Sequence, residues 1–368
     1  MAKAGETILE IDLSALENNY RYLRSQIQPE TKFMAVVKAY AYGSDAQAIA
    51  LRLQKLGADY FAVAYVNEGI YLRKAGITQP ILVLHPQQVS FDIMIDHCLE
   101  PSIYSKKILS EFISTAQEMK VENYPIHLKF NTGLNRLGFS LEDIPEISNT
   151  IKHQTAIKAI AVLSHLAASE DLNEAEFTKS QLFLFKKICD ETDVAFPDKT
   201  MKHVLNTSGI INYPEAQYDM VRSGIGLYGY GNHPDVDQKL KPVGTLKTII
   251  AQLHTIPAGE TVGYNRKYRS NSPTITATLP LGHADGIGRE YGHGKTYVTV
   301  HGKKAPIIGN VCMDMIMVDV TGIPCSEGDE VIVFGKGLPA TEFSETANTI
   351  SYELLTGLSQ RIKRVVIV

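Results

Sequence analysis

Tryptophan is absent, and cysteine is scarce: Cys98, Cys189, Cys312 and Cys325 are the only four in 368 residues. So sparse a set cannot build a disulfide scaffold, and no C-x-x-C pair or cysteine–histidine group at metal-ligand spacing occurs. The carboxylates are scattered, and His283 and His293 lack companions at ligand spacing, so no metal site is expected. An excess of one charge is also missing. Lys and Arg number 36 against 40 Asp and Glu, a net charge of −4. That removes the electrostatic case for nucleic acid or an anionic membrane as the main partner. No apolar run approaches the roughly 18 residues that mark a membrane span. The opening MAKAGETILEIDL has no apolar signal-peptide core. Internal repeats are missing too, which excludes a solenoid. The expectation is a soluble cytoplasmic protein in a reducing compartment. Hydrophobic residues make up 44% and charged residues 21%, ordinary globular usage. The length fits two domains, or one large α/β barrel with an addition.

Over the first 230 or so residues, short β-branched or aromatic runs alternate with helical-period segments. Eight runs read as parallel strands: 33–38, 60–64, 80–84, 100–104, 125–130, 160–165, 202–206 and 218–222. Eight βα units in this length predict a (β/α)8 barrel. An earlier run, Thr7–Leu13, precedes the barrel and could pair with the C-terminal part. After it, Ser14 and Glu17 have the spacing of a capping box. The polar, proline-containing 231–242 reads as a linker. Beyond it, closely spaced strands with glycine-rich turns predict a mainly β second domain, with one helical insert at SETANTISYELLTG. The expected division is 1–235 for the barrel and 236–368 for the β domain.

In such a barrel, chemistry sits at the C-terminal strand ends and the loops that follow. Those ends read Lys38, with Tyr42 in its loop; Lys129, followed by Asn131 and Arg136; His165; Asn206, followed by Thr207 and Ser208; and Arg222. Lys38 closes the apolar run FMAVVK, so it either reaches water, pairs, or serves as a desolvated Schiff-base amine. SGIGLYG contains G-x-G-x-x-G (Gly224, Gly226, Gly229), but it closes the alternating region instead of opening a βαβ unit. A phosphate cradle after strand eight, with Thr207 adding a hydroxyl, is the better reading; a tight turn needing glycine is the other. In the second domain, Tyr264 lies in the loop of ETVGYNRKY, and Met313 and Asp314 interrupt the apolar GNVCMDMIMVDV.

Together these segments resemble the alanine racemases, from about residue 7 to the C-terminus. The resemblance is carried by AVVKAYAYG, HLKFNTGLNRLGF, LSHLA, HVLNTSG, DMVRSGIGLYG, ETVGYNRKY, LGHADGIGR, GNVCMDMIMVDV and ISYELLTGLSQRIKR. It implies a pyridoxal 5′-phosphate enzyme that interconverts L- and D-alanine, assembled as a homodimer with shared active sites. By resemblance, Lys38 forms the Schiff base and is one of two catalytic bases. Tyr264, supplied by the other subunit, is the second. Arg222 meets the pyridine nitrogen, and His165 orients the tyrosine beside the cofactor. Tyr42, Asn206, Thr207, Gly224, Ile225 and Tyr352 complete the cofactor site. Arg136 and Met313 match substrate binders. Lys129 falls where a carbamylated lysine often occurs, and Asp314, Arg289 and His283 match the substrate entrance. The product would supply D-alanine for peptidoglycan.

The chain departs from the family pattern at several positions. Asn131 stands for an aspartate, Ser223 for a frequent proline, Thr207 for serine, His283 for tyrosine and Asn310 for arginine. The chemistry is coherent with the resemblance. Two bases on opposite faces of the α-carbon racemise without turning the substrate over. An arginine at the ring nitrogen weakens the electron sink and limits side reactions. A lysine amine and a phenol titrate in water near about 10.4 and 10. Burial and the cations Arg222 and Arg136 must therefore tune both bases. The alternatives are a racemase of serine or of several amino acids, a decarboxylase of the same two-part plan, and a non-catalytic cofactor carrier.

Overall fold

A computed structural model describes residues 5–368; residues 1–4, ahead of the Thr7–Leu13 run, lie outside the described residues. The opening run forms β1 (Ile8–Asp12), and a helix over Leu13–Ser25 follows directly. Ser14 does not cap this helix. Asp12 does, its Oδ1 accepting from the N–H of Ser14 (2.8 Å) and Ala15 (3.0 Å). A carboxylate is the stronger acceptor at the positive end of a helix dipole, and Glu17 is drawn aside to Arg21 and Arg52.

Eight parallel strands come next: β2 (Lys32–Val36), β3 (Tyr60–Val63), β4 (Ile81–Val83), β5 (Glu100–Ile103), β6 (Tyr124–Lys129), β7 (Ile157–Leu163), β8 (Met201–His203) and β9 (Met220–Ser223). Their order is β8-β7-β6-β5-β4-β3-β2-β9. The N–H groups of Asp219 and Arg222 donate to the carbonyls of Lys202 and Leu205 (3.1 Å each), which joins β9 back to β8. The eight runs expected as strands thus form a (β/α)8 barrel. Helices cover the outside of the sheet, so both faces are buried and the strands are mostly apolar, with a polar minority on β5, β6, β8 and β9. Phe33, Phe61, Leu82, Leu128 and Val162 are fully enclosed.

The C-terminal part is mainly β, as the turn spacing indicated. It comprises β10 (Gly244–Ile249), β11 (Gln252–Ile256), β12 (Thr261–Val262), β13 (Tyr268–Arg269), β14 (Thr274–Leu279), β15 (Tyr297–Val300), β16 (Lys303–Ile308), β17 (Ile316–Asp319), β18 (Glu330–Phe334) and β19 (Lys363–Ile367). Nine strands form one sheet in the order β11-β14-β17-β16-β15-β18-β10-β1-β19. The first strand of the chain therefore sits in this sheet, antiparallel to β10 and parallel to β19.

Two connections differ from the sequence reading. The segment 231–242 is not a free linker: Pro234–Asp237 is helical, and Val236 and Leu240 are buried. Asn19 ties its end to the first helix, donating to the carbonyls of Leu227 and Lys241 and accepting from the N–H of Lys241. The expected single helical insert is two helices, Ala340–Glu345 and Ser351–Thr356. The second carries Tyr352 to the barrel mouth.

Candidate active site

A cavity of about 770 Å³ opens at the C-terminal ends of the barrel strands. Lys38, Tyr42, Lys129, Arg136, His165, Asn206, Thr207, Arg222, Gly224, Ile225 and Tyr352 all line it. So does His85, at the end of β4, which the strand-end rule should have flagged. Its ring stacks on Tyr104 (5.9 Å) and meets the edge of Tyr65 (5.8 Å). Glu170 is the sole carboxylate among the described lining residues, against the cations Lys38, Lys129, Arg136 and Arg222. The cavity is built for an anion.

Lys38 leads into an unusual piece of backbone. Ala39, Tyr40, Ala41 and Tyr42 all have φ between 52° and 55°, one left-handed turn made without glycine. Left-handed helical geometry costs roughly 1–2 kcal/mol per L-residue, several kcal/mol in all, so surrounding contacts must impose it. Glu68 supplies much of the hold. Its carboxylate accepts from the N–H of Ala39 (2.5 Å), Ala64 (2.7 Å) and Tyr65 (3.0 Å). Tyr42 stacks on Tyr228 at 4.5 Å. From the far end of the chain, Arg364 Nη2 donates to the Gly43 carbonyl (2.9 Å). The turn aims Lys38 and Tyr42 into the cavity from one anchored segment.

The cations act on one another. Burial lowers the Lys38 amine, and Arg136 adds to this. Lys129 is pushed down to about 8 by burial, then by Arg136, Arg222 and Lys38. His165 is held well below the usual histidine range by burial and then by Arg222, so its ring is neutral. Arg222 falls only to about 10 and stays charged. It makes five hydrogen bonds: Nη1 to His203 Nδ1 (2.7 Å) and O (3.0 Å), and Nη2 to Ser164 O (2.7 Å), Val204 O (3.1 Å) and His165 Nδ1 (3.3 Å). All run through the two Nη atoms, so among the described residues the Nε–H is the donor left over.

In SGIGLYG, Gly224 and Gly226 serve close approach, while Gly229, at φ 103°, supplies the left-handed turn. A Cβ at Gly224 would lie 2.2 Å from Tyr42 Oη, and one at Gly226 would lie 2.5 Å from Thr207 Cγ2. Thr207 Oγ1 accepts from the Gly226 N–H (3.3 Å) and meets Ser223 Oγ at 3.0 Å. Ile225 opens a 3₁₀ turn and Thr207 a short helix at the same wall, where first-turn N–H groups lack helical partners. Asn131 Oδ1 accepts from the N–H of Gly133 (3.1 Å) and Asn135 (3.0 Å), shaping the loop that carries Arg136. An aspartate would make the same turn, so the departure at this position preserves the loop.

Five of the expected residues stand apart from this cavity. Tyr264, His283, Arg289, Met313 and Asp314 are all exposed, on loops of the β domain. Tyr264 and Met313 are 69% and 59% exposed. Asn310 Nδ2 donates to the Tyr264 carbonyl (2.8 Å). The His283 and Ala284 N–H groups donate to the carbonyls of Cys312 and Met313 (2.9 and 3.0 Å). Asp314 accepts from Arg361 (2.7 Å), which also forks onto Asp285. These loops are tied to one another, with their side chains facing outward.

Residues 11–232 match the family model for the N-terminal domain of alanine racemase, and residues 243–366 match the model for its C-terminal domain. The chain belongs to the alanine racemase family. The alanine racemase of Halothermothrix orenii is 35% identical over 97% of this chain and 96% of its own length. That of Alteromonas mediterranea is also 35% identical, over 100% and 99%. Among solved structures, the alanine racemase of Clostridium difficile 630 superposes with a TM-score of 0.92 at 32% identity, covering 100% of this chain and 97% of that one. The Bartonella henselae alanine racemase, with covalently bound pyridoxal phosphate, gives 0.89 at 30% identity, covering 99% and 100%. The protein is an isomerase of the amino-acid racemase class.

The cavity fits the family's cofactor. An amine lowered by burial stands at its wall, the cradle at Gly224 is one that a Cβ would fill, and Arg222 keeps one donor in reserve. The buried Tyr42 phenol is pushed up by burial, so it remains a hydrogen-bond donor.

Proposed function

We propose that the protein interconverts L- and D-alanine with pyridoxal 5′-phosphate at the barrel mouth, as a homodimer in which the partner's β domain completes each cavity. One observation carries this reading. Lys38 lies in the cationic cavity, while Tyr264 of the same chain is exposed and outside it. A racemase needs a base on each face of the α-carbon, and a second copy is the natural source of the missing one.

When bound, the cofactor supplies the electron sink for charge developing at the α-carbon. Lys38 would hold it covalently through its amine between turnovers; displaced by the substrate amine, that freed amine would take or return the α-proton on the face that D-alanine presents. Tyr264 of the partner subunit does so on the opposite face. His165 Nδ1 accepts from Arg222, which can only donate, so the neutral ring carries its proton on Nε2. That N–H is free to orient the phenolic oxygen of the partner's Tyr264. Arg222 would direct its Nε–H at the ring nitrogen and, being unable to surrender a proton, would keep that nitrogen unprotonated. Tyr42, Thr207, Gly224, Ile225 and Tyr352 would bind the phosphate end, with Asn206 beside them at the cofactor. Arg136, with the backbone of the partner subunit's Met313, receives the substrate carboxylate. Lys129, at about 8, offers enough neutral amine to form a carbamate, whose negative charge would hold Arg136. His283, Arg289 and Asp314, exposed on the β domain, would rim the entrance of the partner's cavity. The barrel unit ends near residue 235, and the D-alanine serves cytoplasmic peptidoglycan precursor synthesis.

A chiral assay on purified protein tests the reading. With pyridoxal phosphate, either enantiomer alone should relax to an equal mixture. No D-alanine from L-alanine would overturn it. Borohydride reduction and peptide mass analysis should find the cofactor on Lys38.

A further inference from the structure

Below the cavity floor lies a row of polar side chains with no role in the reading above. The interior of such a barrel is ordinarily filled by branched apolar residues. Here Glu100 on β5, His127 on β6, His203 on β8 and Arg222 on β9 are buried together, at 8%, 0%, 0% and 4% exposure. They form one chain of contacts: Arg222 Nη1 to His203 Nδ1 (2.7 Å), His203 Nε2 to His127 Nδ1 (3.2 Å), and His127 Nε2 to Glu100 Oε2 (2.7 Å). Tyr60 on β3 packs edge-on against His127 (5.9 Å), and its phenol is pushed up by burial and then by the same carboxylate. Buried polar groups persist only when bonded, so this row is held for a purpose or at a loss.

The direction of every bond follows from its first member. Arginine only donates, so His203 Nδ1 accepts. Burial, then Arg222 and His127, hold His203 well below the usual histidine range, and its ring is neutral. Its proton is therefore on Nε2 and is donated to His127 Nδ1. That atom, being an acceptor, leaves the His127 proton on Nε2, donated to Glu100. A cationic His127 would point an N–H at the N–H of His203. All three bonds run one way, from guanidinium to carboxylate.

We propose that Glu100 is a positioning residue for Arg222: its carboxylate terminates the chain, selects the Nε2–H tautomers of His127 and His203, and thereby holds the guanidinium with Nε–H free for the cavity. The proposal rests on the placement of the cofactor ring at Arg222 proposed above. Glu100 touches neither cofactor nor substrate. Without its acceptor, the favoured His127 tautomer reverses, His203 follows, and a His203 Nδ1–H then opposes Arg222 Nη1–H. The change arrives at the cavity floor two rings away from where it was made.

The test is histidine-side-chain ¹⁵N NMR on the holoenzyme, with Glu100→Gln and Glu100→Leu beside the natural chain. In the natural chain His127 and His203 should both be neutral Nε2–H tautomers at neutral pH. Glu100→Gln keeps an acceptor oxygen and should keep both tautomers and kcat within about threefold. Glu100→Leu should lose them, shift the absorption band of the bound cofactor, and lower kcat about tenfold or more at little change in KM, the scale of one unsatisfied buried donor. A proton on Nδ1 of either ring in the natural chain overturns the proposal without recourse to any variant. So does a folded Glu100→Leu protein with unchanged tautomers, band and kcat. The failure of the function proposed above would appear separately, as absent racemisation by the natural chain, and the NMR reading would stand apart from it.

Discussion

The barrel mouth and the loop face of the β domain carry the same proposed reaction in opposite physical states. At the mouth, Arg222 is buried and makes five hydrogen bonds, and Lys38 is set by a left-handed turn that Glu68, Tyr228 and Arg364 enforce. On the face, Tyr264 and Met313 are largely exposed and tethered through their backbones. Electrostatic preorganisation needs fixed dipoles away from water, and a single folded chain can supply that at the mouth. The exposed side chains acquire such surroundings only by docking against another surface. On the proposed reading, a complete site is thus a property of two chains, with the costly geometry concentrated in one part of each.

The sharpest way to break that contrast is to remove one base from each side. Lys38→Ala should lose both the cofactor attachment and a base, so activity should fall on the order of 10³-fold or more. Borohydride should then label nothing. Tyr264→Phe should keep the cofactor and lose about 10²–10⁴-fold. Because the enantiomers have equal free energy, kcat/KM must fall equally in both directions. The asymmetry appears in deuterium oxide, where D-alanine should still exchange its α-proton through Lys38 while L-alanine does not. Equal exchange from both enantiomers would mean that Tyr264 is not the opposing base.

Mixing the two inactive variants asks whether the face of one chain serves the mouth of another. In a two-fold dimer, half of the randomly paired molecules are heterodimers, and each has one cavity with both bases intact. Activity should return to about a quarter of the natural level after subunit exchange. No recovery, with exchange verified, would place both bases in one chain and erase the contrast drawn here.

A smaller effect probes the mouth alone. Gly224→Ala puts a Cβ where Tyr42 Oη lies, 2.2 Å away. The tyrosine must shift, and cofactor affinity should weaken about tenfold, the worth of one misplaced hydrogen bond, with little change in thermal midpoint. An unchanged dissociation constant for pyridoxal phosphate would remove Gly224 and Tyr42 from the cradle.

Much of the mouth was legible because its residues end strands, and strand ends can be read from alternating runs. What escaped was set by contacts between distant segments. Nothing in Ala39–Tyr42 favours a positive φ; Glu68, some 26 to 29 positions on, imposes it. Glu100 and His127 look like ordinary strand residues until four strands bring them beside His203 and Arg222. The 231–242 segment misleads because its polar majority hides two anchors, Val236 and Leu240. The cap at Asp12 was missed because a carboxylate two residues ahead of the serine outcompetes a well-spaced serine and glutamate.

The smallest expected effect concerns the buried histidines of the mouth and the layer beneath it. His165 and His203 are both held below the ordinary histidine range, chiefly by burial. Unfolded, they titrate near about 6.5. Below that pH the unfolded chain therefore binds protons that the folded chain refuses. Stability is at its full value above about pH 6.5 and falls as the pH drops further, by up to about 1.4 kcal/mol per unit for each histidine. Urea midpoints of the cofactor-free protein between pH 7.5 and 5.5 should show this slope. His165→Gln should remove about half of the portion these two residues contribute, leaving the part beneath the floor intact. A midpoint that is flat across this range would mean that both rings accept protons in the folded state, and the neutral tautomers on which Arg222 rests could not then hold.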